Sequence, residues 1–304
     1  MMSIKNIYTP YILSADIGGS HLTAAICDCK TNTVLEQSLV RVDIDSKGSA
    51  ADILHAWSNA LDRVLQQSFV HISGVALAVP GPFDYDHGVS FIKGFDKYES
   101  IYGVDVKNYL SNALQIHGSL IKFRNDAEAT ILGECIAGAG KGFNNLMGIT
   151  LGTGFGSAFF KDGLISDLNL GADPYKESIA DDHFSTRWFV RRYREVTGRS
   201  VCNVKELVSN PDNRKLTRMI FEEFSDNLCA FLKGPVERYE PEMIIICGNI
   251  ARAGELFLPL VKDRFKALTI GLAQTGELAA LTGAAALFKP AEKASASNKI
   301  PKNI

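Results

Sequence analysis

The sequence predicts an α/β protein with two lobes, and three observations support this fold class. The chain has 304 residues, of which 46% are hydrophobic and 22% charged, so it is long and apolar enough to build more than one core. Buried-strand patterns alternate along it with stretches of helical spacing. A strand, glycine turn, strand pattern occurs once in each half, which indicates a duplicated architecture.

The first half opens with residues 11–28, YILSADIGGSHLTAAICD, in which two apolar runs flank a Gly-Gly break. This order is typical of two strands joined by a hairpin. The elements expected after it are a third strand near 34–40, an amphipathic helix over 51–70, a buried strand over 75–79 that Pro80-Gly81-Pro82 ends, a helix over 106–114 and a strand over 119–123.

The second half repeats the plan with residues 146–165, LMGITLGTGFGSAFFKDGLI. Here too a small-residue turn separates two apolar strand patterns. The elements expected after it are helices over 182–195 and 214–239, a buried strand over 243–247, a helix from about residue 253 and a final alanine-rich helix over 277–288.

Composition and charge indicate which classes of binding partner and which cell compartment to expect. Lys and Arg total 32 against 34 Asp and Glu, and this formal net charge of −2 supplies no overall field toward nucleic acid or an anionic membrane. The sequence contains no run of about 18 apolar residues and no signal-peptide pattern at its start. Its six cysteines are mostly far apart in sequence, which fits reduced thiols better than a disulfide framework. We therefore expect a cytoplasmic protein that binds neither nucleic acid nor membrane.

Both glycine turns are candidate phosphate sites. In the first, Asp16 precedes Gly18, Gly19 and Ser20, so backbone N–H groups can approach phosphate oxygens while the carboxylate holds hydrated magnesium. The alternative for this turn alone is a plain hairpin with an exposed aspartate. The second turn, Gly152-Thr153-Gly154, adds a hydroxyl, and two such hairpins facing across a cleft would clamp a triphosphate. Neither turn has the Walker or the dinucleotide-binding pattern.

Residues 123–129, FRNDAEA, mark a change from strand to helix between the two turns. Either Asn125 or Asp126 can cap the helix, and capping alone is one interpretation. The other is that Asp126 is a general base for a hydroxyl proton while Asn125 holds neighbouring hydroxyls. A position near a helix N-terminus favours the charged carboxylate.

Six segments, in order, resemble the successive motifs of the ROK family of sugar kinases and repressors. They are SADIGGSHLTAAICD, GVALAVPGPFDYDHGVSF, RNDAEATILGE, LMGITLGTGFGSAFFKDGLI, MIIICGNIA and LTGAAALF, between about Leu13 and about Phe288. The resemblance implies the two-lobed actin-like, sugar kinase and chaperone ATPase fold (ribonuclease H-like), with an ATP cleft between the lobes. We expect an N-terminal lobe over 1–123, on which a helix over 277–290 packs, a C-terminal lobe over 124–276 and a mobile tail over 291–304.

The same resemblance implies roles for individual residues. Those expected at ATP and magnesium are Asp16, Gly18, Gly19, Ser20, Gly152, Thr153 and Gly154, with Gly248 and Asn249 beside the nucleoside. The sugar is expected against Gly81, Asn125 and Asp126, with Asp126 as the base. Closure on the sugar is expected about hinges near 122–126 and the start of the last helix.

One segment departs from the family pattern. Family members usually carry a cysteine cluster that binds zinc and contributes a sugar-binding His and Glu, and here SDLNLGADPYKESIADDHFSTRWF contains no cysteine. Zinc of that kind is excluded on ligand count. Asp181 stands four residues before Ser185 and is expected to replace the glutamate in sugar binding. His183 is expected to be a surface histidine, and the arginines at 187, 191, 192 and 194 a solvent-facing row rather than an anion site.

The leading hypothesis is therefore an ATP-dependent hexokinase of the glucokinase type that acts on a hexose hydroxyl, most simply the 6-hydroxyl. Two alternatives stay open: a sugar- or nucleotide-sensing protein of the same fold with weak chemistry, and a kinase for an N-acetylated amino sugar. Family resemblance suggests a homodimer. Only about a dozen residues precede the first strand, so no helix-turn-helix module like that of the repressors is expected there.

Overall fold

The computed structural model describes residues 9–94, 97–210 and 213–289. The tail expected over 291–304 lies outside the described residues. The strands in chain order are β1 (Tyr11–Ile17), β2 (His21–Asp28), β3 (Thr33–Val34), β4 (Val40–Asp43), β5 (Gly74–Val79), β6 (Phe83–Asp84), β7 (Val89–Ser90), β8 (Ile121–Asn125), β9 (Asn145–Leu151), β10 (Phe155–Lys161), β11 (Leu164–Asp167), β12 (Pro174–Tyr175), β13 (Ser178–Ile179), β14 (Met243–Cys247) and β15 (Thr269–Leu272).

The helices vary widely in length. In chain order they are α1 (Ala50–Gln67), α2 (Val106–Leu114), α3 (Asp126–Ala137), α4 (Ala180–Phe184), α5 (Thr186–Thr197), α6 (Val204–Ser209), α7 (Arg214–Tyr239), α8 (Leu258–Arg264) and α9 (Leu278–Ala285). Apolar residues at helical spacing explain α1, which buries Ile53, Trp57, Leu61 and Val64, and the Ser49 hydroxyl caps it by accepting from the Asp52 N–H.

The two large sheets share one plan, which confirms the predicted duplication. The first has the order β3-β2-β1-β5-β8, with β4 also paired to β2, and the second has the order β11-β10-β9-β14-β15. In each, an antiparallel hairpin is followed by parallel strands, β1 beside β5 and β9 beside β14. Parallel neighbours end at the same edge of a sheet, so both glycine turns lie at carboxyl edges, where α/β proteins bind ligands.

Each sheet packs against its own helices. The first core places Trp57 of α1 edge-on to the buried Tyr98, with ring centroids 5.4 Å apart. The second core is a cluster of aromatic rings from α5 and α7, in which Phe189 lies 4.8 Å from both Phe221 and Phe224. Two separate apolar cores are the expected outcome for a chain of this length.

Helices α3 and α9 cross at very short range. A Cβ on Gly133 would lie 1.9 Å from the Ala279 carbonyl oxygen, and one on Gly283 would lie 1.8 Å from that of Ala129. Only glycine permits this approach. Helix α9 also reaches the first sheet, because the Ser14 hydroxyl donates to its Leu281 carbonyl at 2.7 Å.

Three predicted elements differ from the structure. The strand expected near 34–40 is divided by a 3₁₀ helix over Glu36–Ser38, where the Ser38 hydroxyl accepts the Ile26 N–H at 2.8 Å. The helix expected over 182–195 is broken at Ser185, whose backbone is extended. The helix expected from 253 begins at Leu258, after a 3₁₀ segment over Ile250–Leu256.

Candidate active site

The first glycine turn leaves its aspartate at the end of β1. Asp16 is partly buried, and the turn closes through a hydrogen bond from the Gly18 N–H to the His21 carbonyl at 2.9 Å. Burial, and then the negative charges of Asp126 and Glu277, raise the pKa of Asp16 to about 7, against an opposing effect of Arg41. The charged form of Asp16 is therefore disfavoured near neutral pH, and nearby positive charge would favour it.

The second glycine turn accepts hydrogen bonds from a residue that lies outside its own hairpin. The Thr186 N–H and hydroxyl both donate to the Gly152 carbonyl, at 2.8 and 2.9 Å, and Thr153 at the tip is exposed. Gly248, which follows β14, has a φ of +92°, and a Cβ there would lie 2.3 Å from the Leu151 carbonyl oxygen. Glycine at 248 thus lets the end of β14 lie directly against the second turn.

The start of α3 resolves which residue caps the helix. The Asn125 side-chain oxygen accepts from the N–H groups of Ala127 and Glu128, at 2.9 and 3.1 Å, so Asn125 is the cap. Asp126 is the first residue of the helix, and its carboxylate accepts from the Ala127 N–H at 2.9 Å. Burial raises the pKa of Asp126, and the positive charge of Lys97 opposes this shift.

Gly81 and Asn125 both lie close to the hydroxyl of Tyr85. Val79 of β5 pairs with Asn125 of β8, so the two strands end side by side. The Asn125 amide donates to the Tyr85 hydroxyl at 3.1 Å, and a Cβ on Gly81 would lie 3.1 Å from the same oxygen. This corner offers an amide, a phenol and a carboxylate beside a glycine without a side chain, a set suited to holding hydroxyl groups.

The two sheets bring these parts together. A Cβ on Gly156 of β10 would lie 2.6 Å from the Cβ of Ala127, so the second hairpin lies against the first turn of α3. Asp126 also acts electrostatically on Asp16 across the edge of the first sheet. The structure thus gathers both glycine turns around the start of α3.

A cavity of about 1080 Å³ opens beside the second turn. Its lining combines hydroxyls, apolar side chains and a cationic rim: Thr153, Thr186, Arg187, Val190, Arg191, Arg194, Ser200, Cys202, Asn203, Val204, Lys205, Val208, Ser209, Asn249, Ile250, Arg252 and Ala253. Arg252 also lies 3.7 Å from Glu277, which pairs with Arg41 of β4 and so links the cavity to the surroundings of Asp16. Such a cavity suits a ligand with an apolar ring and several phosphates.

Residues 12–167, slightly more than half of the chain, match the sequence model described as the ROK family. The chain belongs to the ROK family. This ROK protein is 26% identical over 217 residues to a glucokinase of Thermotoga maritima, across 61% of this chain and 67% of the relative. It is 23% identical over 308 residues to an N-acetyl-D-glucosamine kinase of Mannheimia succiniciproducens, across 90% and 97%.

A solved structure agrees with the fold of this ROK protein. A ROK family glucokinase from Streptomyces griseus, in complex with glucose and AMPPNP, superimposes with a TM-score of 0.75 at 20% identity, across 91% of this chain and 98% of that one. This confirms the predicted actin-like fold of two lobes.

Asp181 of the ROK protein lies behind the second turn. One of its oxygens accepts the Phe155 N–H at 2.5 Å and the other pairs with Arg187. A Cβ on Gly154 would lie 3.1 Å from the first of these oxygens. Both oxygens of Asp181 therefore have protein partners beside the second glycine turn, and a direct contact with sugar stays a prediction.

Of two expectations for the same segment, the one for His183 was wrong. His183 is buried, with 3% of its surface exposed, its Nε2 3.2 Å from the Ser178 hydroxyl and its ring edge-on to Tyr175, because α4 turns that side chain into the core. The row of arginines is mostly exposed, as expected. Those at 187, 191 and 194 line the cavity, whereas Arg192 faces away and pairs with Glu223 at 2.8 Å.

Sequence reasoning missed several polar residues that the ROK fold gathers here. Tyr85 contacts Asn125, Lys97 acts on Asp126, and Glu277 with Arg41 acts on Asp16. The negative charge of Asp167, at the end of β11, also acts on Asp126. Only Tyr85 had a local signal, since it follows the Pro-Gly-Pro turn, while the other residues come from loops and ends far apart in sequence.

Within the residues described, no helix is long and apolar enough to cross a membrane. In the same part of the chain, no group of three or more His, Cys, Asp or Glu side chains is arranged to hold a metal ion. All six cysteines are free thiols, and Cys202 is exposed at the cavity.

Proposed function

We propose that this ROK protein is an ATP-dependent sugar kinase that transfers the γ-phosphoryl group to a hydroxyl of a hexose. The observation that carries this proposal is the position of Asp126, a partly buried carboxylate at the start of α3, coupled to Asp16 and packed beside the second glycine turn. The names of the glucokinase and N-acetyl-D-glucosamine kinase relatives support the same reaction class.

ATP would occupy the cavity and the two turns. The nucleoside would lie near Asn249, and the phosphates would approach the second turn at Gly152, Thr153 and Gly154. These would be the outer phosphates, and the first turn, at Gly18, Gly19 and Ser20, would meet phosphates and magnesium from the other side. The arginines on the cavity rim would offset the charge of the nucleotide.

Asp16 fits a magnesium site held largely through water. Its carboxylate is partly buried and forms no hydrogen bond with another described residue. Magnesium usually takes only one or two protein carboxylates and completes its shell with water and substrate phosphates, so a single aspartate is sufficient. Bound there, the ion would neutralise phosphate charge during transfer.

In the reaction, Asp126 accepts the proton of the sugar hydroxyl as the oxygen attacks the γ-phosphorus. A new P–O bond to the sugar forms and the bond to ADP breaks, so the proton remains on the Asp126 carboxylate and then passes to water. A raised pKa makes Asp126 a stronger base than an exposed aspartate, and the positive charge of Lys97 opposes the rise.

The sugar would lie at the corner formed by Gly81, Tyr85 and Asn125, beside Asp126. A glucose-type hexose presenting its 6-hydroxyl is the first candidate. An N-acetylated amino sugar is the second, because the N-acetyl-D-glucosamine kinase aligns over 90% of this chain whereas the glucokinase aligns over 61%. We also propose that the protein is cytoplasmic and forms a homodimer. Sedimentation equilibrium measures the mass of the assembly.

The test is a coupled ADP-release assay with MgATP and a panel of hexoses and N-acetylhexosamines. We expect turnover with one sugar, and Asp126→Asn should lower kcat by about 100-fold or more, since loss of a general base costs about 10²–10⁴-fold. Asp263→Asn is the matched control, because that aspartate is 71% exposed.

Two outcomes would contradict the proposal. No turnover with any sugar, together with measurable ATP or sugar binding, would favour the sensing protein. Turnover by Asp126→Asn close to that of the wild type would remove Asp126 as the base.

A further inference from the structure

Lys97 lies on a loop that is fastened to the first glycine turn. The next residue, Tyr98, is fully buried, and its N–H donates to the Ser46 carbonyl at 2.6 Å. The Tyr98 hydroxyl donates to the carbonyl of Gly18 at 2.5 Å, and its ring lies edge-on to Trp57. The backbone at Lys97 is therefore positioned by the core of the first lobe and by the phosphate turn together.

The Lys97 side chain lies against that turn, within electrostatic reach of the proposed base. Its Cδ lies 3.7 Å from the position that a Cβ on Gly19 would occupy, and its positive charge acts on the Asp126 carboxylate. It is partly buried, and among the described residues its ammonium has no ion pair or hydrogen bond. Within the described part of the chain, the Lys97 ammonium thus has no partner, and it lies beside the first glycine turn and near enough to the proposed base for its charge to act on it.

The group that must pass through this space is the phosphoryl group in transfer. We propose that Lys97 is a further catalytic residue, whose ammonium binds the oxygens of the γ-phosphoryl group as it moves from ADP to the sugar. This inference rests on the proposed kinase function. It names a residue that none of the sequence motifs contains.

Lys97 takes no part in bond exchange. The sugar oxygen forms its bond to phosphorus, the bond to ADP breaks, and Asp126 takes the proton, while Lys97 keeps its own three protons throughout. Its contribution is to stabilise negative charge on the equatorial oxygens of the transition state in a site partly shielded from water. A flexible ammonium suits this task, because it can follow the moving group as a point charge.

The experiment compares Lys97→Met, Lys97→Arg and Lys93→Met in the full-length protein. Lys93 is the control, since it lies on the same loop but is exposed, with its ammonium 5.5 Å from the ring centroid of Tyr102. We expect Lys97→Met to lower kcat by about 100-fold, as loss of one transition-state donor does, with the KM for sugar changed less than about threefold. Lys97→Arg should recover part of kcat, and Lys93→Met should match the wild type.

The experiment distinguishes failure of the proposed kinase function from failure of the proposed role of Lys97. If the wild type releases no ADP with any sugar, the kinase function fails. If the wild type is active and Lys97→Met keeps kcat within about threefold, the role of Lys97 is overturned and the kinase stands. A loss of sugar binding in Lys97→Met without a loss of kcat at saturation would also overturn it. Thermal melting checks each variant, and if Lys97→Met is unfolded, Lys97→Gln is judged by the same criteria.

Discussion

At the scale of single residues, the candidate site concentrates carboxylates where burial disfavours their charge. Burial is the first cause of the raised pKa for both Asp16 and Asp126, and mutual repulsion adds to it at Asp16. Folding therefore has to hold these groups together against their preference for water. Positive charge from phosphate-bound metal and from Lys97 would relieve this tension when substrates bind.

This tension predicts that Asp16→Asn stabilises the metal-free protein at alkaline pH. The pKa of Asp16 is about 7 in the folded state and about 3.8 as a free side chain, so the folded state binds the proton more tightly. The contribution of Asp16 to stability is favourable below about pH 4 and is lost as pH rises through 7. After allowance for water at this partly exposed group, we expect a gain of about 1–2 kcal/mol for the variant at pH 8.

Thermal unfolding in EDTA at pH 4 and pH 8 measures this difference. The melting temperature of Asp16→Asn should exceed that of the wild type at pH 8 by a few degrees and match it at pH 4. Asp263→Asn controls for a general effect of removing a carboxylate. Equal differences at the two pH values would show that Asp16 is not the group responsible.

At the scale of elements, the crossing of α3 and α9 positions Asp126, the proposed base. Helix α3 begins with Asp126, and α9 packs on it through Gly133 and Gly283 while also bonding to Ser14 of β1. The buried Glu134 of α3 strengthens this arrangement, since it accepts the N–H groups of Gln274 and Thr275 just before α9, at distances between 2.8 and 3.1 Å.

Gly283→Ala should therefore destabilise the protein severely. Its Cβ would lie 1.8 Å from the backbone oxygen of Ala129, and neither helix can give way without moving a sheet. We expect a loss of at least about 2 kcal/mol in the free energy of unfolding, together with a lower kcat, because α3 would shift. Urea denaturation measures the first effect.

Gly118→Ala is the matched control for this substitution. The nearest atoms to its added Cβ lie 3.9 Å away, an ordinary contact, so it should leave stability unchanged or slightly higher. Equal stability of the two variants would contradict the tight crossing.

At the scale of the whole molecule, charged side chains connect the surroundings of the two sheets. Glu277, just before α9, pairs with Arg41 of the first sheet and lies 3.7 Å from Arg252 beside the cavity. These charged contacts of Glu277 therefore lie at the start of α9, the helix that crosses α3. The proposed domain boundaries and hinges remain predictions that a measurement of shape can test.

We expect the sugar substrate to close the cleft. A kinase that transfers phosphate to sugar has to exclude water, and binding between two lobes draws them together. Small-angle scattering should show a smaller radius of gyration on addition of the sugar, and Asp126→Asn should show the same decrease without turnover. An unchanged radius at saturating sugar would count against closure.

The accuracy of the sequence-based expectations followed the range of the interactions involved. Helices α2 and α7 have the predicted bounds, because periodic apolar spacing acts within each helix. The break at Ser185 was missed, because the next residue, Thr186, bonds to the Gly152 carbonyl from a distant hairpin. Burial of His183 was missed because no periodic pattern shows that α4 packs against β12 and β13, whose Tyr175 and Ser178 contact its ring.

By itself, the sequence determined the class of fold, the duplicated plan and the two glycine turns, and it narrowed the cap of α3 to Asn125 or Asp126, since each depends on neighbours within a few residues. Only the tertiary structure decided that Lys97, Tyr85 and Glu277 lie at the site. These residues come from loops and ends without periodic patterns, and their proximity depends on where the strands end and how closely α3 and α9 approach. Turns and caps depend on residues that are adjacent in sequence, whereas the electrostatics of this site depend on residues that only packing brings together.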